Sequence, residues 1–187
     1  VGVLLRDEFP EREAFECRAG LAPGVLAEKA FYHPIAPLLL TGKKLPTDLW
    51  SAIREDLNLT EEDVRRLDDD FCGVPKWNHE LLELLEPLKG RHKLGVLSNT
   101  WPGTREVVRE RINSDLFDVI VFSYEEGIAK PDPHIYQRIL SRMDLRADRT
   151  MFVDDRSENV EAAEALGIHG ILFSEETEFT QRIAAFD

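Results

Sequence analysis

Three short stretches hold the side chains able to do chemistry, and each follows an apolar run. Ser98-Asn99 follows Leu94-Gly95-Val96-Leu97. Lys130 lies in Gly127-Ile128-Ala129-Lys130-Pro131-Asp132-Pro133, after Val119-Ile120-Val121-Phe122. Asp154-Asp155 ends the run Met151-Phe152-Val153. Short apolar runs bounded by turn residues read as buried strands. Carboxylates at the C-terminal edge of such strands stand where open α/β sheets bind ligands. Neighbouring side chains on a strand point to opposite faces, but the chain turns here, so both carboxylates can reach one spot. Two adjacent carboxylates repel each other, which is more than a helix cap needs. Oxygen ligands without a nearby His or Cys suit a hard cation such as Mg²⁺. A hydroxyl, an amide, backbone N–H groups and an ammonium make a cradle for an anion. If the strands are parallel, all three ends converge on one edge, and a phosphate bridged by Mg²⁺ satisfies both halves. Taken singly, each stretch has a plainer reading: an ordinary turn, a surface lysine, a helix cap. Their succession at strand ends is what points to a site, and two prolines stiffen the loop that carries Lys130.

The elements that must position these groups fall into two kinds. Residues from about Arg6 to Leu88 read as helical. Pro23 suits a first helical position, followed by Val25, Leu26, Ala30 and Phe31 on one face. Leu49, Trp50, Ile53 and Leu57 form an apolar stripe. Thr60-Glu61-Glu62-Asp63 resembles a capping box ahead of Val64, Leu67 and Phe71. Asn78 is positioned to start a last helix with Leu81, Leu82, Leu84 and Leu85 inward. Asp68-Asp69-Asp70 is read as a solvated helix face, because only spacings of three or four share a side. Trp50 and Trp77 are read as core. From Lys93 onward, strands alternate with helices: helices near Thr104–Ile112, from Pro133 after Asp132, from Ser157 as N-cap to Gly167, and after Glu175; strands at Val119–Phe122 and Ile171–Phe173. That alternation predicts a parallel sheet covered on both faces. The fold expected is therefore α/β: a Rossmann-like parallel sheet core, plus a small all-helical domain. The expected division is residues 1–5 as the end of a first core strand, 6–88 as the helical part, and 89–187 as the α/β core.

Composition narrows the function. The chain has 187 residues and a net charge of −13, with no Lys/Arg cluster, so nucleic acid and anionic membranes are not expected partners. No apolar run approaches a membrane span and no signal peptide is visible, which leads to a cytoplasmic expectation. Cys17 and Cys72 do not form a CxxC and are expected to be free, buried thiols.

Leu97-Ser98-Asn99, Lys130-Pro131-Asp132-Pro133 and Phe152-Val153-Asp154-Asp155 together resemble motifs II, III and IV of the haloacid dehalogenase (HAD) superfamily. Ser157 to Ala163 and Leu166-Gly167-Ile168 look like that family's helix after motif IV. The helical stretch is similar to the cap inserted after its first motif. The resemblance covers nearly the whole chain and implies a Mg²⁺-dependent phosphohydrolase acting on a small phosphorylated metabolite. A phosphoryl group would pass to an aspartate and then to water. Ser98 would hold a phosphate oxygen, and Asn99 would position the loop or the substrate. Lys130 would offset the gathered negative charge. Asp155 would ligate Mg²⁺, with Asp154 ligating directly or through water. Trp101 would either line the substrate pocket or pack between core and cap. Replacing Lys130 by Ala is expected to abolish hydrolysis while sparing the fold.

Gly2-Val3-Leu4 match the tail of the family's first motif. The nucleophilic aspartate is accordingly expected two residues before Val1, and the stretch from Val1 onward is expected to be inactive alone. Val1 itself falls where many relatives carry a general acid, whose loss weakens leaving-group protonation, typically about 10²–10⁴-fold. Residues upstream, forming the central strand, are expected in the gene product. Two alternatives stay open: a haloacid dehalogenase-like hydrolase, which the paired carboxylates disfavour, and a non-catalytic member binding a phosphorylated ligand or a protein. Substrate identity and oligomeric state are left open by the pattern.

Overall fold

The structure is a computed structural model; it describes residues 2–5, 10–72, 77–103 and 115–173, with the side chains of residues 68–70 and 72 outside that description. Among the described residues the first part is helical: α1 (Pro10–Arg18), α2 (Val25–Phe31), α3 (Ala36–Leu40), α4 (Pro46–Ile53), α5 (Glu61–Cys72) and α6 (His79–Leu85). The starts of these helices follow from local chemistry. Thr60 N–H donates to Asp63 Oδ2 at 2.9 Å, and Asp63 N–H donates to Thr60 Oγ1 at 3.1 Å, which is the reciprocal box expected at α5. The hydrogen bonds hold the Asp63 carboxyl below its ordinary pKa, Thr60's hydroxyl contributing most. Asn78 caps α6 by accepting from Leu81 N–H.

Pro23 is not a first helical residue. Helix α2 starts two positions later, after Gly24 at φ 85°. The reason is Glu16, a buried carboxylate on α1, which accepts from Gly24 N–H and Leu26 N–H at 2.8 Å each. A carboxylate at a helix N-terminus satisfies donors that have no partner inside the helix. Leu26, Ala30, Leu39, Leu49, Trp50, Ile53, Leu67 and Phe71 then close one apolar core. Phe31 differs from the expected inward face: it is 50% exposed. Cys17 is exposed rather than buried, and the side chain of Cys72 lies outside the described residues. So do the helices expected near 104–112 and after 175, and the side chains of Asp68 to Asp70.

The second part contains β1 (Gly95–Ser98), β2 (Val119–Phe122), α7 (Ser123–Glu126), α8 (Pro133–Met143), β3 (Met151–Asp154), α9 (Ser157–Glu164) and β4 (His169–Leu172). Among the described residues β1 pairs with β2 and β3 with β4, both parallel. Side chains alternate across β2. Ile120 and Phe122 pack toward Leu82 and Leu85 of α6, while Val119 and Val121 pack toward Ile135 and Tyr136 of α8. Helices therefore cover both faces, as the apolar runs without alternation require.

The expected α/β fold with parallel strands is found, and among the described residues the strands form two parallel pairs. Strands β1 and β3 do not pair with each other. Between them runs a groove of about 710 Å³ lined by Leu4, Val96, Leu97, Phe152 and Val153. The central residues of β1 and β3 are accordingly only half-buried, whereas Val121 and Phe122 of β2 are buried. Residues 2–5 reach the groove and attach at α6, where Asn78 N–H donates to Leu4 C=O at 3.0 Å. The N-cap of α9 is Arg156, not Ser157. The Asp154 carboxylate accepts from Arg156 N–H at 3.0 Å, which turns the chain into the helix one residue early. The helical part also rests on the α/β part at Gly42: a methyl there would lie 2.4 Å from the Tyr124 carbonyl oxygen.

Candidate functional site

Strands β1 and β3 end side by side, and one lysine ties the two ends together. Lys130 Nζ donates to Leu97 C=O at 2.9 Å and to Asp154 Oδ2 at 2.6 Å. The two side chains are 8% and 5% exposed. Such a pair stands only when the remaining polar atoms are also satisfied. Asp154 meets that condition: its Oδ1 accepts from Asn159 Nδ2 at 2.8 Å and from Arg156 N–H. The ammonium also lies 5.4 Å from the Phe152 ring centroid, a favourable cation–π position.

Asn99 fixes the loop that delivers this lysine. Its Nδ2 donates to Lys130 C=O and its Oδ1 accepts from Lys130 N–H, both at 2.8 Å. The amide is thus spent on Lys130's backbone, next to the cis Lys130–Pro131 bond. Of the two roles expected for Asn99, the contacts are those of positioning the loop. Thr100 is held in turn by buried Ser123, the first residue of α7: Thr100 N–H donates to Ser123 Oγ at 3.1 Å. Ser98 is the last residue of β1, opposite Phe122, and its half-buried hydroxyl has no side-chain partner among the described residues. Trp101 is buried in the helical core rather than open to a pocket.

The adjacent carboxylates both line the groove but differ in their surroundings. Asp154 is buried and Asp155, one residue past the strand, is exposed. Asp155 has no hydrogen-bond or ion-pair partner among the described residues. Its carboxylate lies against Gly2, where a Cβ would stand 2.1 Å from Asp155 Oδ2; at φ 110° only glycine fits comfortably. Among the described residues no group of three or more His, Cys, Asp and Glu gathers for a metal. A cation that keeps waters and takes one or two carboxylates plus phosphate oxygens still suits Asp155, which has no countercharge among the described residues.

Two contributors escaped the sequence reading. Asn159, 4% exposed, holds Asp154. Tyr136 donates its hydroxyl to Asn159 C=O at 2.8 Å. Burial, and then the charge of Asp154, push the Tyr136 phenol well above its ordinary pKa, so it remains a neutral donor. A signal existed for Asn159: a polar amide one turn into the helix that follows an acidic strand end. Tyr136 gave none, since an aromatic beside Ile135 reads as filler.

The chain matches the family model described as haloacid dehalogenase-like hydrolase over residues 18–167. It is 30% identical over 132 residues to a sesquiterpene phosphatase of Aspergillus oryzae, covering 70% of this chain and 67% of that protein. It is 33% identical over 104 residues to a phosphorylated carbohydrates phosphatase of Thermotoga maritima, covering 54% of this chain and 48% of that one. The chain thus spans about two thirds of the first relative and about half of the second. A crystal structure of a HAD family enzyme from Bacteroides thetaiotaomicron in complex with magnesium and inorganic phosphate superposes with a TM-score of 0.75. At 22% identity, over 96% of this chain and 94% of that one, the likeness is one of fold.

Proposed function

The chain belongs to the haloacid dehalogenase-like hydrolases, and from that premise we propose a Mg²⁺-dependent phosphohydrolase acting on a small phosphorylated metabolite through an aspartyl-phosphate. The observation that carries the reading is the division of charge at the two strand ends. Lys130 and Asp154 neutralise each other in the interior, while the Ser98 hydroxyl and the Asp155 carboxylate are left open. An open hydroxyl suits a phosphate oxygen, and an open carboxylate suits a hard cation.

In this reading Ser98 donates to a non-bridging phosphate oxygen. Lys130 lends positive charge where oxygens gather, and Asn99 holds it there. Asp155 is the metal-facing carboxylate, and Asp154 acts through Lys130, or through a water. Mg²⁺ when bound supplies charge neutralisation of the transferring group. The attacking carboxylate would stand at the groove between β1 and β3, beside Ser98 and Asp155, which line it. The groove supports this, because among the described residues β1 and β3 do not pair across it, and Ser98 and Asp155 are in its lining. The helical part acts as a cap, which favours small substrates over proteins.

Hydrolysis of p-nitrophenyl phosphate by the full-length protein, with and without chelator, tests the reading. Metal-dependent turnover that falls at least about 100-fold in Asp155→Asn, with the melting temperature unchanged, is the expected result. Turnover indifferent to chelator would overturn it.

A further inference from the structure

Trp101 belongs by sequence to the loop of Ser98 and Asn99, and by packing to the helical core. It is 6% exposed. Its ring is stacked on Phe71 of α5 at 5.3 Å and 5°. It meets Trp50 of α4 edge-on at 5.9 Å and Phe31 of α2 at 5.7 Å. Three helices therefore grip one indole from the α/β part. The grip is itself braced: Arg12 of α1 lies 4.3 Å over the Phe71 ring, and its Nε and Nη2 donate to Phe71 C=O at 3.3 and 3.2 Å. On the other side, the preceding residue, Thr100, is fixed to Ser123 at the start of α7, and Asn99 is fixed to Lys130.

We propose that Trp101 is a positioning residue through which the helical cap sets the Ser98–Asn99 loop, so that displacement of the cap is transmitted to the anion-holding groups. The inference rests on the phosphohydrolase reading for its functional meaning, but the coupling is a property of this chain alone. Aromatic contacts of this geometry are directional, so the indole transmits tilt as well as pressure. An apolar filler could not do that, and neither could a ring facing solvent. The cap need not touch Ser98 to move it: a shift of α5 carries Phe71, Phe71 carries Trp101, and Trp101 is three residues from Ser98.

Hydrogen exchange by mass spectrometry on Phe71→Leu is the test, because Phe71 is remote from the reacting groups. Exchange in residues 98–103 is expected to quicken by about tenfold or more, with residues 151–154 unchanged. Trp101→Leu should reproduce this, and Trp101→Phe, which keeps a flat ring in the stack, should restore most of the protection. If Phe71→Leu does not fold, Phe31→Leu on the half-exposed ring carries the same test with a smaller effect. Quickening confined to residues 10–72 would overturn the proposal, leaving Trp101 as mere filling of the cap. With a hydrolysable substrate, Phe71→Leu should lower kcat more than it raises KM. Coupling seen by exchange in a protein without turnover would sink the phosphohydrolase reading and leave the coupling standing.

Discussion

The helical part and the α/β part solve the burial problem in opposite ways. The helices close a continuous apolar core in which Leu26, Leu39, Leu49, Ile53 and Leu67 are wholly buried. Glu16, Thr60 and Asn78 cap helix ends there, and Arg12 braces the Phe71 ring. The strands β1 and β3 instead leave their central residues half-buried along a groove and bury a lysine, a carboxylate and an amide at its end. The helical part is held by packing, and the strand ends are held by a polar lattice. The lattice costs desolvation that packing does not, and in return each of its members has a fixed direction. Directed groups are what chemistry on a phosphate needs.

The largest effect expected from breaking this contrast is at Lys130. Lys130→Met leaves Asp154 buried without its countercharge, and calorimetry should show a loss of about 3–5 kcal/mol. Sequence alone suggested that removing Lys130 would spare the fold; its burial revises that. The double variant Lys130→Met/Asp154→Leu should recover most of the loss, since an apolar pair needs no lattice. Failure to recover would mean that shape, not charge, holds the strand ends. Next comes Leu49→Ala, which should cost about 2–5 kcal/mol through a cavity in the helical core. Exchange in β3 and β4 should not change; if those strands loosen equally, the two parts do not divide the work as described. The smallest effect is in acid. Asp63 is held below its ordinary pKa of 3.8 by Thr60, and Asp132 likewise by His134 at the start of α8. A carboxylate with a depressed folded pKa gives its full stabilisation above the unfolded value and loses it as pH falls through the folded one. Circular dichroism should therefore show helix loss steepening below about pH 4, and Thr60→Ala, worth about 1 kcal/mol, should flatten it.

How much of this was legible depended on the range of the interaction. The capping box at Thr60 and the N-caps Asn78 and Asp132 are read off neighbours three residues or fewer apart, and they stand where expected. Strand β2 was placed to the residue, because its run has turn signals on both sides. Helix α2 was misplaced because its N-terminal donors are met by Glu16, eight and ten residues away and on another helix. The candidate residues Ser98, Asn99, Lys130, Asp154 and Asp155 were identifiable as types at strand ends. The split between Asp154 inside and Asp155 outside was not, since it turns on Asn159 and Lys130 arriving from other elements. Trp101 was left between pocket and packing for the same reason: its three partners lie in helices 30 to 70 positions away in sequence.

The reciprocal bonds between Asn99 and Lys130 carry one more consequence. A carboxamide can pair with a peptide group only because it has one face that gives a proton and one that takes it. Exchanging its nitrogen for oxygen, as in Asn99→Asp, changes the side chain by a single heavy atom of nearly equal size. Yet it sets an oxygen against the Lys130 carbonyl oxygen where 2.8 Å now separates a donor from its acceptor. The same atom that fastens the lysine loop would then push it away. An isosteric swap, blameless by volume, would dislodge the lysine that both strand ends share.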